Sequence, residues 1–585
     1  MRRLAAVPAL LALASAAAAQ KAGESDAILE AMREELKRSE ALRVVNLDPP
    51  YYIEYAVDDA ESFRASATFG GLVESHQSRF RAPRIRVRVG GYKFDNTNFV
   101  YSDFAGGTRY EAEQLPLDNV VSNLRTSLWL GTDRMYKAAV EILATKRAAL
   151  KNMSQSEDLP DFSRAQPVKL LLDAARVRVN GEEWCKRVRS LSGIFCRYPA
   201  ILSSAVEVES IQSVYYFHNT EGSELRVPER LLQIRVRAAG QAADGAQVRD
   251  MATWLSPDPA ILPPEAELRA LVEATAKNVT ALAAAPEGED YTGPVLFEGI
   301  AGCQLLAEVV GRNLRVTRRP VAAPGRPAPV AATEFEGRLG ARVLPEWMDI
   351  ADDPARKEWE GRPLAGSYPV DMEGVIPQPL TLIEKGILKA FLLTRQPVRG
   401  FPESNGRARL SGQFGAKMPC FGNLMVTARE SLPLAELRKK LIEIAGTRGK
   451  PYGIVVRKMD FPSSASIEEL RRVMAGAQGA GGRVISSPLL VYRLYQDGRE
   501  EPVRGLRFRS LDSRALKDIV GASKEMEAFH YLENGAPMAL IGGAAYVTAV
   551  SAVAPSVLVD DLEMQAPREE RPKPPLVPPP LFGAQ

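Results

Sequence analysis

From residue 84 to residue 89 the chain alternates strictly, Arg84, Arg86 and Arg88 against Ile85, Val87 and Val89. A period of two puts the aliphatics on one face of a strand and the arginines on the other, which commits this stretch to an antiparallel sheet with one covered face. The arginines are expected to form its solvated face. Strands are also expected at 51–57 and 63–69, and residues 168–255 read as strand-rich, with turns at Asn180-Gly181 and Glu221-Gly222. Helical spacing governs other segments. Ile28, Leu29, Met32 and Leu36 share a face over 26–43, 133–150 is amphipathic, and 265–285 follows Pro263-Pro264 with an Ala-rich body. Further on, a strand at 293–297 is expected to run directly into a helix at 298–310. A strand at 368–371 and a hairpin of 380–383 with 387–393 across Lys385-Gly386 follow. The sum is an α+β chain of two domains, a mixed one at 20–287 and a mainly antiparallel-β one at 288–566. Residues 319–332 read as a Pro/Ala-rich loop and 567–585 as an unfolded Pro-rich tail.

Composition narrows the function. With 585 residues, 45% hydrophobic and 25% charged, the chain is globular in type. Its 75 Lys and Arg against 72 Asp and Glu leave +3, too little field to draw a phosphate backbone, so no nucleic-acid partner is expected. Arg2-Arg3, the apolar run 4–16 and Ala17-Ala18-Ala19 have the form of a secretory signal cut after Ala19, which implies a secreted or periplasmic protein. No later run of 18 apolar residues exists, so no membrane span is expected. Export permits disulfides, and Cys185 and Cys196 are near enough in sequence for one, though spacing does not fix connectivity. Only three histidines occur; His76, His218 and His530 share no helix turn and are expected to be surface or hydrogen-bonding residues. There is no Gly-x-Ser-x-Gly elbow and no Walker or dinucleotide fingerprint.

Five ordered segments carry a resemblance. Leu128-Trp129-Leu130-Gly131-Thr132-Asp133 leads toward Tyr136-Lys137. Asp371-Met372-Glu373-Gly374-Val375 precedes Leu382-Ile383-Glu384-Lys385-Gly386-Ile387-Leu388-Lys389. Ser404-Asn405-Gly406-Arg407-Ala408-Arg409 is followed by Met418-Pro419 to Asn423-Leu424, and Pro555 to Leu562 closes the series. In this order they resemble the TldD/PmbA family of metallopeptidases and their non-metal partners, over residues 30–565 and most closely over 293–425.

The resemblance implies a His-Glu-x-x-x-His motif on the helix after the first strand of the second domain, with a Cys near the C-terminus as third zinc ligand. Two histidines on neighbouring helix positions can face one Zn²⁺ while the Glu activates its water. Aligned at Phe297-Glu298, both histidine positions are replaced, by Phe297 and Gly302, and the Cys position falls on Ile541, so only Glu298 survives. The expectation is a zinc-free, non-catalytic protein. Zinc belongs to the active relatives, Glu298 is a retained general-base position without its metal, and Cys303 is a buried hydrophobe. Asp371, Glu373, Asn405, Arg407 and Arg409 are candidate peptide-cleft residues, with turn chemistry favoured for Asp371 and Glu373. The implied partners are an extended peptide and a second subunit, either a copy of the chain or a zinc-bearing TldD-like relative. The competing expectation is an active metallopeptidase cleaving unfolded peptides, with an altered site built on Glu298 and Cys303.

Overall fold

The structure is a computed structural model; it describes residues 26–100, 114–151, 158–322, 333–411, 417–462, 485–509, 511–533, 548–568, 571 and 575. The segments 1–19, 323–332 and Ile541, and nearly all of 567–585, lie outside the described residues.

Two long hairpins build the first sheet: Pro50–Thr68 with Gly71–Gly91, and Ile201–Asn219 with Glu224–Gln241. They join where 54–67 pairs antiparallel with 206–219, and Gln247–Ser256 adds an edge beside Glu224–Gln241. One face takes the aliphatic side chains. The helices Ala27–Glu40 and Val121–Lys151 pack on it over Ile53, Tyr55, Val57, Ile85, Val87 and Val89. Gly181–Ser192 and Glu265–Ala284 pack over the other end of the same face, against Phe63, Ala65, Val206 and Val208.

The opposite face carries the arginine stripe, and it is not solvated. Arg84 and Arg88 are buried, Arg84 against Asp58 and Arg88 on Asp95 at 2.8 Å, and Arg86 lies 3.8 Å from Glu54. This face is covered by the second half of the chain, since Ala56, Tyr215, Phe217 and Leu225 share a core with Val370, Met372 and Leu410. Alternation shows that two faces differ; carboxylates placed opposite let the charged one be buried.

Other sequence expectations shift. The three short strands are segments of two long ones, because Ala60, Glu61 and Ser62 continue the ladder that the sequence suggests they break. The second helix starts at Val121 instead of 133, since Leu124 and Leu128 extend the buried stripe of Met135, Ala139 and Leu143 backward and bury Gly131. Asn180 begins a helix, its side chain accepting the Glu183 N–H, and makes no hairpin turn. Residues 368–371 form no strand. Cys185 and Cys196 are both free thiols, one against the Ser75 hydroxyl and the other against the Phe69 carbonyl.

The second sheet is eleven-stranded and mostly antiparallel. At its centre Ala549–Gln565 pairs with Tyr291–Phe297, Asn423–Ala428 and Ile519–Leu532 along different parts of its length. The Leu380–Glu384 hairpin turns through Lys385 at φ 50° and Gly386 at φ 70° as expected, but its second strand is Ile387–Leu388 and does not run on to 393. The fold is α+β.

Candidate functional site

The Tyr291–Phe297 strand ends at a sharp corner. Gly299 adopts φ 62°, its N–H donates to the Ser556 hydroxyl at 2.9 Å, and the helix Ile300–Leu306 starts one residue later. Phe297 and Glu298 therefore precede the helix that was expected to begin at 298. The Phe297 side chain is fully buried, with its ring 5.7 Å from that of Phe508. Glu298 receives Arg438 at 2.7 Å and Arg457 at 3.0 Å, and both arginines also bind Glu500. Both oxygens of the Glu298 carboxylate are thus engaged by guanidinium donors, which makes it an anchor of this four-residue ion-pair cluster.

Gly302 and Cys303 lie on the helix and serve packing. A Cβ at 302 would sit 2.4 Å from the Pro555 carbonyl oxygen, so this turn approaches the central strand too closely for any side chain. The Cys303 thiol donates to the Glu527 carbonyl at 3.2 Å, and burial pushes it up to about 12. At that value it is a neutral thiol at neutral pH.

On the helix itself the spacing His-Glu-x-x-x-His falls on Ala307-Glu308-Val309-Val310-Gly311-Arg312, where the helix widens into a π-turn at Ala307–Gly311. Sequence reasoning missed this frame; the glycine at 299, which stops the strand from passing smoothly into the helix, was the signal for it. Glu308 is buried, accepting the Ser486 N–H at 3.1 Å and hydroxyl at 3.0 Å, with Arg312 at 3.4 Å. A methyl group at 307 offers no lone pair, and the guanidinium at 312 is a permanent cation with donors only. Zinc fits neither frame. Among the described residues no cluster of three His, Cys, Asp or Glu is placed to hold a metal ion.

The five candidate peptide-cleft residues are internal or spent on the backbone. Asp371 accepts the N–H groups of Glu373, Val375 and Ala408; burial and the neighbouring Glu373 push it up to about 7. Glu373 accepts the Arg395 N–H at 2.7 Å, and Asn405 bridges the Leu393 N–H and the Phe391 carbonyl. Arg407 is buried on Asp352 at 3.0 Å, and Arg409 stacks 4.3 Å over the Tyr368 ring. These side chains fasten the loops to one another. Asp371, Glu373, Arg407 and Arg409 are buried, and Asn405 is half-buried.

A groove does open elsewhere, between the two sheets. It has a volume of about 530 Å³ and is bordered by residues 251–256, 528–532 and the helix residues Ile300 and Gln304. Successive side chains of a strand point to opposite faces, so consecutive residues border a cavity where the strand turns its edge to it. Gln247–Ser256 pairs only with Glu224–Gln241, and the 526–532 part of Ile519–Leu532 only with 549–555, among the described residues. Two strand edges thus face the groove, with Trp254, Phe461 and Phe529 in its lining and the exposed Ile261 and Leu262 at its rim. Gln304 fixes the helix beside it: its amide donates to the Met459 and Phe461 carbonyls and its oxygen accepts the Met459 N–H.

Residues 292–459 match the PmbA/TldA metallopeptidase C-terminal domain. A metalloprotease of Archaeoglobus fulgidus is 36% identical over 81 residues, 14% of this chain and 18% of the relative, so the match spans less than a fifth of that protein's length. Among solved structures, TldE from Thermococcus kodakarensis has a TM-score of 0.56 at 13% identity, covering 92% of this chain and 100% of that one. A candidate modulator of DNA gyrase from Thermotoga maritima has a TM-score of 0.55 at 16% identity, covering 88% and 96%. A second such candidate modulator, from Bacteroides thetaiotaomicron, reaches 0.56 at 10% identity, covering 92% and 99%. At these identities the structural likeness is one of fold. Residues 292–459 thus carry a C-terminal domain of the PmbA/TldA metallopeptidase type, within a fold shared with these structures along most of the chain.

Proposed function

We propose that this chain is an exported, zinc-free member of the TldD/PmbA family that binds extended peptides and serves as the non-catalytic subunit beside a zinc-bearing relative. The observation that carries the proposal is the groove between two open strand edges, set against a helix whose ligand positions offer a methyl group and a guanidinium. An extended peptide can add to such an edge through main-chain hydrogen bonds, which hold many sequences without cutting them. Export rests on the basic start and apolar run at the N-terminus. The altered-site peptidase built on Glu298 and Cys303 lacks support, because one is bound by two arginines and the other is a neutral buried thiol.

The test is metal analysis of the purified full chain, joined to a peptide-library cleavage assay with and without chelator. The expected result is substoichiometric zinc, no chelator-sensitive cleavage, and retention of extended peptides. Stoichiometric zinc together with cleavage that the chelator abolishes overturns the proposal. Co-purification from the native host with a relative carrying both histidines supports the subunit role; recovery of a lone, peptide-cleaving chain removes it.

A further inference from the structure

His530 sits at the middle of the groove wall formed by 528–532. Across the ladder it faces Ser551, whose hydroxyl oxygen accepts the Ala365 N–H at 2.9 Å and the Gly366 N–H at 3.2 Å. With both lone pairs taken, the hydroxyl hydrogen goes to His530 Nδ1, 2.9 Å away. That bond fixes the tautomer. Nδ1 is the acceptor and the ring proton sits on Nε2, which has no partner among the described residues.

Arg362 lines the same groove and is exposed, and its guanidinium has no hydrogen-bond or ion-pair partner among the described residues. The other two cations of the lining are already committed, Arg235 to Glu207 at 2.8 Å and Lys458 to Asp250 at 2.8 Å. Burial, aided by the positive charge of Arg362, pushes His530 down to about 4, so it stays a neutral donor at neutral pH. The groove therefore offers one free guanidinium and one fixed imidazole N–H, set among aromatic and aliphatic side chains, with the Glu267 carboxylate also in its lining.

We infer that Arg362 and the Nε2–H of His530 form a carboxylate-binding position within the groove, selecting extended peptides that carry an Asp or Glu side chain. This rests on the peptide-binding proposal above and adds the ligand class. A fork of guanidinium donors matches a carboxylate, and a neutral N–H adds direction without a second charge to desolvate. Because His530 occupies the centre of its wall, a strand running along the edge passes it, so the matching acid is a side chain within the peptide and not its C-terminus.

The test uses three labelled, N-acetylated hexapeptides of alternating Val and Thr, titrated into the full chain. One has a central Glu and an amidated C-terminus, one has Gln in its place, and one has Gln with a free C-terminal carboxylate. The Glu peptide is expected to bind at least about 10-fold tighter than its Gln counterpart, with a preference that shrinks as salt rises. Arg362→Gln is expected to erase the preference for the Glu peptide over its Gln counterpart, and His530→Gln to reduce it. Equal binding of the Glu and amidated Gln peptides overturns the carboxylate position but leaves the groove as a peptide site. A preference for the free C-terminus overturns it in favour of terminal recognition. Failure of all three peptides to bind removes the peptide groove itself.

Discussion

Gly302 and His530 show how one contact decides what a position can do. At 302 the Pro555 carbonyl occupies the space of a Cβ, so Gly302→Ala must move a central strand or the helix. Overpacking of this kind costs about 3 kcal/mol, and a urea midpoint well below that of the parent chain is the expected reading. A histidine placed there meets the same carbonyl, so ligand restoration at 302 fails through the backbone before any metal is offered. At 530 the consequence is a pH dependence. The unfolded imidazole protonates near pH 6.5, whereas burial and then Arg362 push the folded one down to about 4. Between those values the unfolded chain holds the extra proton, so stability falls as pH falls, by up to about 3 kcal/mol. Asp352, pushed by burial up to about 6, works in the opposite sense, so the comparison must be between variants. Denaturation midpoints of His530→Gln, followed from pH 7 to pH 4, are expected to lose less than those of the parent; parallel curves would refute the assignment.

At the scale of elements, the strand-to-helix corner holds its place through polar contacts that hydropathy does not reveal. Gln304 is buried and makes three bonds to the backbone of 459–461, tying the helix to the strand that ends at Met459. Gln304→Leu keeps the volume and gains hydrophobicity, yet it strands three backbone groups. It is expected to destabilise the chain by about 2–3 kcal/mol, measurable by denaturant titration, with the surrounding groove altered in the same variant. Much of this level was legible beforehand. The Ala27–Glu40 and Glu265–Ala284 helices and the Lys385-Gly386 turn follow from periodicity, caps and left-handed turn residues. Helix onset at 121 and at 300 was not. In one case a buried stripe outlasts a glycine, and in the other a glycine at φ 62° delays the helix by two residues.

For the whole molecule, the two halves meet through buried charge. Lys417 lies between them on Glu54, and burial pushes its ammonium down to about 8 against the pull of that carboxylate. Glu54, which burial alone would raise, is held down to about 2 by Lys417 and Arg86. Arg395 on Glu221, Arg249 on Asp460 and Lys458 on Asp250 repeat the arrangement. Lys417→Met leaves the buried Glu54 with only the more distant Arg86 as counter-charge, and a loss of about 3 kcal/mol is expected. Adding Glu54→Leu should restore much of it, because the cost lies in the orphaned charge; a double variant as weak as the single one would show that packing, not charge, is at stake.

Residue order was enough for whatever depends on neighbours along the chain: the alternating strands, the amphipathic helices, the turn glycines, and the absence of histidines where zinc would need them. Contacts distant in sequence settled that the arginine face of that strand is buried as well as the aliphatic one, that no side chain fits at 302, and which strand edges remain open around His530. The difference is one of range. Backbone propensity and side-chain period act over a few residues, whereas the burial of a charge or the closing of a groove depends on partners hundreds of residues away, as Lys417 depends on Glu54.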